Sequence, residues 1–269
     1  MATAAVVLPL ACAAALVWRH RSGRDAFYAA LAAQPAPGAV ELGSGGMLAT
    51  AESLAGAFAA QRLIRVDDFL APALLARIRD EALAARAGVE RSFIPLHKQG
   101  GTLSYEQLLR CAPHAVSFYR ARAVQDWISA VTGTRVHATP LRDQSSLSVL
   151  RYDRVGDHIN WHYDHNFYRG RHFTVLLVLV NRAAAGGVSH SQLERQLEDG
   201  SVRTVEMLEN TLVVFEGACV RHRATPTAAG DLRVILSMTY CEDPRIRWGA
   251  ELARRVKDTA YYGIRALWD

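Results

Sequence analysis

Ile159-Asn160-Trp161-His162-Tyr163-Asp164-His165 is the stretch on which the fold turns. Read as a strand, it alternates, and side chains two apart leave the same face roughly 6.5–7 Å from one another. His162 and Asp164 then face inward together with Asn160, while Trp161, Tyr163 and His165 face the other way. An imidazole and a carboxylate side by side on an inner face are metal donors, and a third donor has to arrive from an opposing strand. His222 follows the apolar run Thr211 to Phe215 closely enough to supply it.

The surroundings of that stretch agree with a closed or sandwiched sheet. From about Val136 onward, Leu147 to Tyr152, Phe173 to Val180, Val202 to Met207, Thr211 to Phe215 and Leu232 to Tyr240 are short apolar or alternating runs between turn signals, the pattern of a β-sandwich or barrel. The first half reads differently. Asp25 to Ala33, Leu48 to Gln61, Ala73 to Arg86 and Ala115 to Val131 repeat apolar residues at helical spacing, the last stopping at Gly133, with a short strand at Leu63 to Val66. After Pro244 helical spacing returns and ends in Tyr261, Tyr262 and Trp268. Helices first and strands after give an α+β, mainly β chain with a β-core buttressed by helices.

At 269 residues, 50% apolar and 21% charged, the chain buries a core of ordinary enzyme size. The net charge of +5 is spread, with no run of five Lys or Arg, so charge gives no reason to expect a nucleic-acid partner. Cys12, Cys111, Cys219 and Cys241 lack paired spacing and read as free thiols in a reducing compartment. Residues 2 to 18 carry no charge and are followed by Arg19, Arg21 and Arg24. That order predicts a membrane anchor with the rest of the chain on the cytoplasmic side, a soluble cytoplasmic form being the alternative. The expected division is residues 1–21 as the apolar segment, 22–61 as a spacer with helices, and 62–269 as the catalytic domain.

Two histidines and one carboxylate form the facial set that holds non-haem Fe(II) and leaves positions open. Rival motifs fail on chemistry. His158-x-x-x-His162 has the spacing of a zinc protease helix, but Ile159 stands where the glutamate belongs. No Gly-x-Ser-x-Gly elbow and no P-loop occur. Eleven residues beyond His222, Arg233 opens the apolar run Val234-Ile235-Leu236. A guanidinium there is a planar fork for a carboxylate, such as the far carboxylate of 2-oxoglutarate.

With these residues the chain resembles the 2-oxoglutarate/Fe(II)-dependent dioxygenases, in particular the prolyl-4-hydroxylase-like branch. The resemblance rests on Val149-Leu150-Arg151-Tyr152-Asp153-Arg154-Val155-Gly156, His162-Tyr163-Asp164, Arg171 to Leu177 ending at Asn181, Gly186-Gly187, Leu212 to Gly217, and His222-Arg223-Ala224-Thr225-Pro226 leading through Gly230 to Arg233. Val66-Asp67-Asp68-Phe69-Leu70 is similar to the branch's opening strand and helix, so the likeness spans about residues 62 to 242. It implies a double-stranded β-helix, or jelly-roll, core. It also implies Fe(II) on His162, Asp164 and His222, 2-oxoglutarate on Arg233 with Tyr152 bordering it, and dioxygen as oxidant. Relatives often carry a further Tyr on the strand that here spans Phe173 to Val180; none is present, and Tyr152, Thr174 or Ser237 is left to complete the co-substrate's hydrogen bonds.

The implied activity is hydroxylation of an unactivated C–H bond in a small or apolar metabolite, a lipid or a prolyl residue. Related halogenases lack the carboxylate and put halide in its place, so Asp164 implies oxygen insertion. The polar stretch Ser189 to Gly200 is expected to form a lid or hairpin near the site, where specificity commonly resides. Two other readings stand beside this one. A non-catalytic, membrane-tethered β-barrel binding module would not need an intact ligand set with Arg233. A nucleic-acid dealkylating dioxygenase would carry more Arg and Asn around Arg233 than Leu232 to Tyr240 holds.

Overall fold

A computed structural model describes residues 15, 18–19, 21–31, 33, 40, 43 and 51–263. Helical residues 21–31 (α1) and α2 (Ala51–Gln61) precede β1 (Leu63–Val66). Then come α3 (Pro72–Ala84), the hairpin β2 (Glu90–Ile94) and β3 (Lys98–Leu103), α4 (Tyr105–Cys111), α5 (Pro113–Arg120) and α6 (Arg122–Thr132). The remaining strands are β4 (His137–Ala138), β5 (Leu147–Tyr152), β6 (His158–His162), β7 (Tyr168–Arg182), β8 (Leu193–Gln196), β9 (Val202–Val205), β10 (Leu212–Phe215), β11 (His222–Ala224) and β12 (Leu232–Ile246), followed by α7 (Ala250–Tyr262).

The strands pair antiparallel in the order β1-β10-β7-β12-β5-β3-β6-β11-β8-β9, with β2 beside β3 and β4 beside β12. Two facing sheets result, β1-β10-β7-β12-β5-β3 and β6-β11-β8-β9, joined where Lys98 of β3 pairs with Ile159 of β6. This is the jelly-roll order of a double-stranded β-helix. It brings β6 and β11 side by side, although some 60 residues separate them in the chain.

Strand alternation divides the larger sheet into two faces. On β12, Val234, Leu236, Met238 and Tyr240 enter the main core, as do Leu147 and Val149 of β5 and Phe173, Val175 and Leu177 of β7. They pack under α2 to α6 with Phe58, Ile78, Leu108, Phe118 and Ile128. The intervening residues, Arg233, Ile235, Ser237 and Thr239 of β12, Ser148, Leu150 and Tyr152 of β5, and His172, Thr174 and Leu176 of β7, line a cavity inside the barrel. The core that holds the sheet and the cavity that holds the chemistry therefore lie on opposite faces of the same strands.

Local signals explain the helix ends. Pro72 fills the first turn of α3, Ser104 and Gln107 form a reciprocal capping box on α4, and Gly133, at φ +70°, closes α6. The helix expected over Ala115 to Val131 is instead two, α5 and α6, parted at the fully buried Ala121 with ψ 130°. Residues 189–200 do contribute a hairpin strand, since β8 pairs with β9 on one side and with β11 on the other.

The helical parts of the expected spacer are docked on the domain. Tyr28 and Leu31 of α1 are buried, Arg24 pairs with Glu106 at 2.8 Å, and Phe58 of α2 packs on Phe173. The apolar run 2–18 falls almost wholly outside the described residues, among which no helix is long and apolar enough to cross a membrane.

Candidate metal centre

His162 and His222 stand opposite each other on β6 and β11, their rings 4.2 Å apart. Their tautomers follow from the backbone. Nδ1 of His162 donates to Asn160 O at 2.7 Å and Nδ1 of His222 to Val220 O at 2.9 Å; a carbonyl only accepts, so both Nε2 atoms are left as free lone pairs. Those atoms lie 3.5 Å and 3.7 Å from the same Asp164 oxygen. Three ligands about 2.1 Å from a metal and at right angles would sit about 3.0 Å apart. The two separations from Asp164 exceed that by less than 1 Å, all three donor atoms lie within 4.8 Å of one another, and the set is the only such donor cluster among the described residues.

Asp164 reaches this position by another route than simple alternation. β6 ends at His162, and Asp164 lies beyond it with its N–H donating to Gly217 O at 3.0 Å. Along β6 the register slips: His222 faces His162, but Ala224 faces Ile159, so β6 carries one extra residue. The bulge turns Ile159 and His162 both into the cavity and puts Asn160 outside, exposed, its amide on Leu96 O at 2.8 Å. The expectation of an inward Asn160 is thus corrected, and His165, expected to face away, lines the cavity instead.

Thr174 donates its hydroxyl to the second Asp164 oxygen, which fixes the carboxylate and directs the first oxygen at the imidazoles. This places Thr174 on Asp164 and not beside Arg233, whose partner on β7 is Asn181, seven residues farther along. Burial works against the Asp164 charge, but His222, His162 and Thr174 outweigh it and hold the carboxyl far below the usual carboxylate range. Burial pushes His222 down, toward the neutral form a metal requires. Burial also lowers His162, yet the Asp164 hydrogen bond and charge leave it above its ordinary value.

Gly217 has a steric reason to be glycine. A Cβ there would stand 2.4 Å from Asp164 Oδ2 and 2.7 Å from Thr174 Oγ1. Gly217→Ala should therefore push the carboxylate off its hydroxyl partner and lower iron affinity about 10- to 100-fold, as loss of a supporting contact does. Titration of the metal-free protein with Fe(II) under argon measures this; unchanged affinity would mean that Asp164 is not a ligand.

Arg233 is 2% exposed, and its guanidinium lies 5.3 Å from the centroid of the Tyr152 ring, the residue directly across on β5. Its Nε has no hydrogen-bond partner, and no carboxylate pairs with it among the described residues. Burial lowers its pKa, with Tyr152 opposing, and burial likewise raises the Tyr152 phenol to about 12. A buried cation without a counter-ion on a cavity wall is a place for an anion. Ser237 and its cross-strand partner Ser148 also face the cavity.

Other cavity residues gave no signal in the sequence. His97 sets its ring against His162 at 5.5 Å and meets the Tyr261 hydroxyl at 2.5 Å. Lys98, 1% exposed, lies in the wall on β3. The C-terminal helix closes this end through Lys257, Tyr261 and Tyr262, anchored by the buried pairs Arg254–Asp258 at 2.8 Å and Lys257–Asp258 at 2.7 Å.

Solved structures with the same architecture include enzymes that depend on non-haem iron or α-ketoglutarate. The non-haem α-ketoglutarate-dependent epimerase SnoN of nogalamycin biosynthesis aligns with TM-score 0.59 and 14% identity over 72% of this chain and 82% of its own, and it has been seen in complex with Fe3+ and α-ketoglutarate. A Pseudomonas putida prolyl-4-hydroxylase aligns with TM-score 0.55 and 17% identity over 72% of this chain and 99% of its own. A Burkholderia pseudomallei protein of the 2OG-Fe(II) oxygenase family gives 0.57 and 14% over 80% and 100%. A search of curated protein sequences finds no match. The family model described as Halogenase D matches residues 48–252, which hold every strand and all three metal donors. The chain belongs to that Halogenase D family, and its fold is that of the 2-oxoglutarate/Fe(II)-dependent oxygenases.

Proposed function

We propose that this protein is an Fe(II)- and 2-oxoglutarate-dependent hydroxylase of a small molecule. The observation that carries the reading is that one cavity of about 150 Å³ holds both a three-donor cluster with free Nε2 atoms and a buried cation with no counter-ion among the described residues. His162, His222 and Asp164 would hold the iron, and Arg233 would receive the far carboxylate of 2-oxoglutarate across the face of Tyr152. Iron and 2-oxoglutarate together supply the oxidising step: dioxygen is consumed, 2-oxoglutarate is decarboxylated to succinate, and one oxygen atom enters a substrate C–H bond. Thr174 keeps Asp164 aimed, the Asn160 and Val220 carbonyls keep both imidazoles in the donor tautomer, and the Tyr261–Tyr262 end of α7 excludes water.

Halogenation is the second reading, and the family model favours it. It would need a halide where Asp164 already supplies an oxygen within 3.7 Å of both imidazoles. The two separate in one experiment. The iron-loaded protein is incubated with 2-oxoglutarate, air, chloride and a small-molecule extract, and succinate and new masses are followed. The expected outcome is succinate release and a product that has gained one oxygen. A product with the isotope pattern of chlorine would overturn hydroxylation in favour of halogenation, and absence of iron-dependent succinate would leave a binding module.

A further inference from the structure

The C-terminal helix is built inside out. The face that α7 turns to the domain carries charge: Arg254 and Lys257 both pair with Asp258, and Arg254 also donates to the Arg142 carbonyl at 3.0 Å. Leu252 and Val256 each stand two residues from Arg254, about 160° around the helix from it, and are 69% and 57% exposed. Ala260 continues that stripe one turn later, and Trp248, 100% exposed, precedes it by one turn, just ahead of Gly249 at the helix start. Taking charges out of water costs more than taking out Leu and Val. A helix that met only water on its outer side would gain from the reverse arrangement. The stripe therefore suits surroundings less polar than water.

We propose that α7 docks this protein on the surface of a bilayer containing anionic phospholipid, with Trp248, Leu252 and Val256 seated at the headgroup boundary. The docking is peripheral and does not depend on what the cavity oxidises. Three observations favour lipid over another occupant. The uncharged residues 2–18 run into α1, and α1 docks on the same loop as α7. On that loop Arg142 pairs with Asp25 and Gln144 donates to Tyr28 at 2.9 Å, while Arg254 holds the Arg142 carbonyl and Ser145 donates to Asp258 at 3.3 Å. Each helix is also preceded by an exposed tryptophan, Trp18 at 72% and Trp248, and an indole has the apolar body and polar N–H that suit the boundary between headgroups and acyl chains. The flanking charge is basic. Asp243 matches Arg245, but Arg19, Arg21 and Arg247 are exposed with no acidic partner among the described residues, and such arginines are drawn to anionic headgroups. The ion pairs of the inner face then hold α7 to the domain, which frees its apolar residues for the lipid.

The test is flotation of the full chain, without detergent, with vesicles of phosphatidylcholine alone and of phosphatidylcholine with phosphatidylserine. Wild-type protein should float with the serine-lipid vesicles and bind them about tenfold or more tighter than the neutral ones. The double variant Trp248→Ser, Leu252→Ser should lose about tenfold or more of that binding. Its melting temperature and Fe(II) affinity should match wild type, because both side chains are exposed and neither lines the cavity. Trp248→Phe alone should keep most of the binding, since the apolar body of the side chain remains. Residues 2–18 are intact in every variant. Full binding by the double variant would therefore give the membrane contact to that run alone and overturn the proposal. Wild-type protein that floats with neither vesicle, or with both equally, overturns it too. So does a lipid-free dimer that the double variant dissolves, since the stripe would then belong to a second copy of the chain.

Discussion

Alanine at His162 is expected to abolish 2-oxoglutarate turnover and to lower iron affinity by more than about 100-fold, beyond the loss that follows removal of a supporting contact. The substitution deletes one of two Nε2 donors and leaves a bidentate His222–Asp164 pair, too open to hold the ion in competition with water. The fold should survive. His162 faces the barrel interior, whereas the apolar packing that holds the larger sheet lies on its other side, under α2 to α6. The metal-free variant should therefore melt within about 1 kcal/mol of metal-free wild type, the ordinary scale for substitutions outside a packed core. Iron content after gel filtration, succinate release and a melting curve read the three statements separately. Asp164→Ala should stop hydroxylation equally, but for another reason: both imidazoles remain, and the vacated position becomes available to an added halide. An alanine variant at His162 that retained iron and full turnover would remove this residue from the centre.

How much of this could be read from the sequence depends on what kind of information places each residue. Strand positions that alternate one by one between core and cavity were legible, because period two is written directly into Leu147 to Tyr152 and into Arg233 to Tyr240. The same holds for the donors themselves, whose residue types state their chemistry. Asn160 was misplaced because a bulge in β6 is a property of pairing with β11, which the local pattern does not contain, and His165 because the strand ends at His162 and its alternation with it. Thr174 stood with Tyr152 and Ser237 as a candidate for the co-substrate's hydrogen bonds; its hydrogen bond to Asp164 was not legible, because it depends on Asp164 docking on Gly217, just beyond the β10 residue that pairs with Thr174. The hairpin of β2 and β3 was not expected at all: Phe93 is 71% exposed and the strand Lys98-Gln99-Gly100-Gly101 has no apolar rhythm. Lys98 was hidden for that reason. A lysine two residues before a glycine pair reads as solvated surface until tertiary structure covers it.

Arg233→Met is expected to cost 2-oxoglutarate roughly 2–5 kcal/mol of binding, about thirtyfold or more, because it removes one side of a desolvated, charge-assisted pair. Iron binding should be unchanged, since nothing in the donor set touches Arg233. Stability should move the other way from the usual core substitution. Without an anion, the guanidinium is 2% exposed, with an unpaired Nε and no carboxylate partner among the described residues, so its charge bears a burial penalty that nothing there offsets. A methionine stem of similar length keeps the packing against Tyr152 and removes that penalty, so the 2-oxoglutarate-free variant should melt at or above wild type. Wild-type protein should rise in melting temperature as 2-oxoglutarate is added, following mass action, and the variant should not. The two measurements together discriminate between roles. If Arg233 were a structural cation with a partner in the fold, its loss would lower the melting point of the free protein and leave the co-substrate's effect intact. If neither quantity changed, the far carboxylate would have to be sought at Lys98 on the cavity wall, which has no carboxylate pair among the described residues.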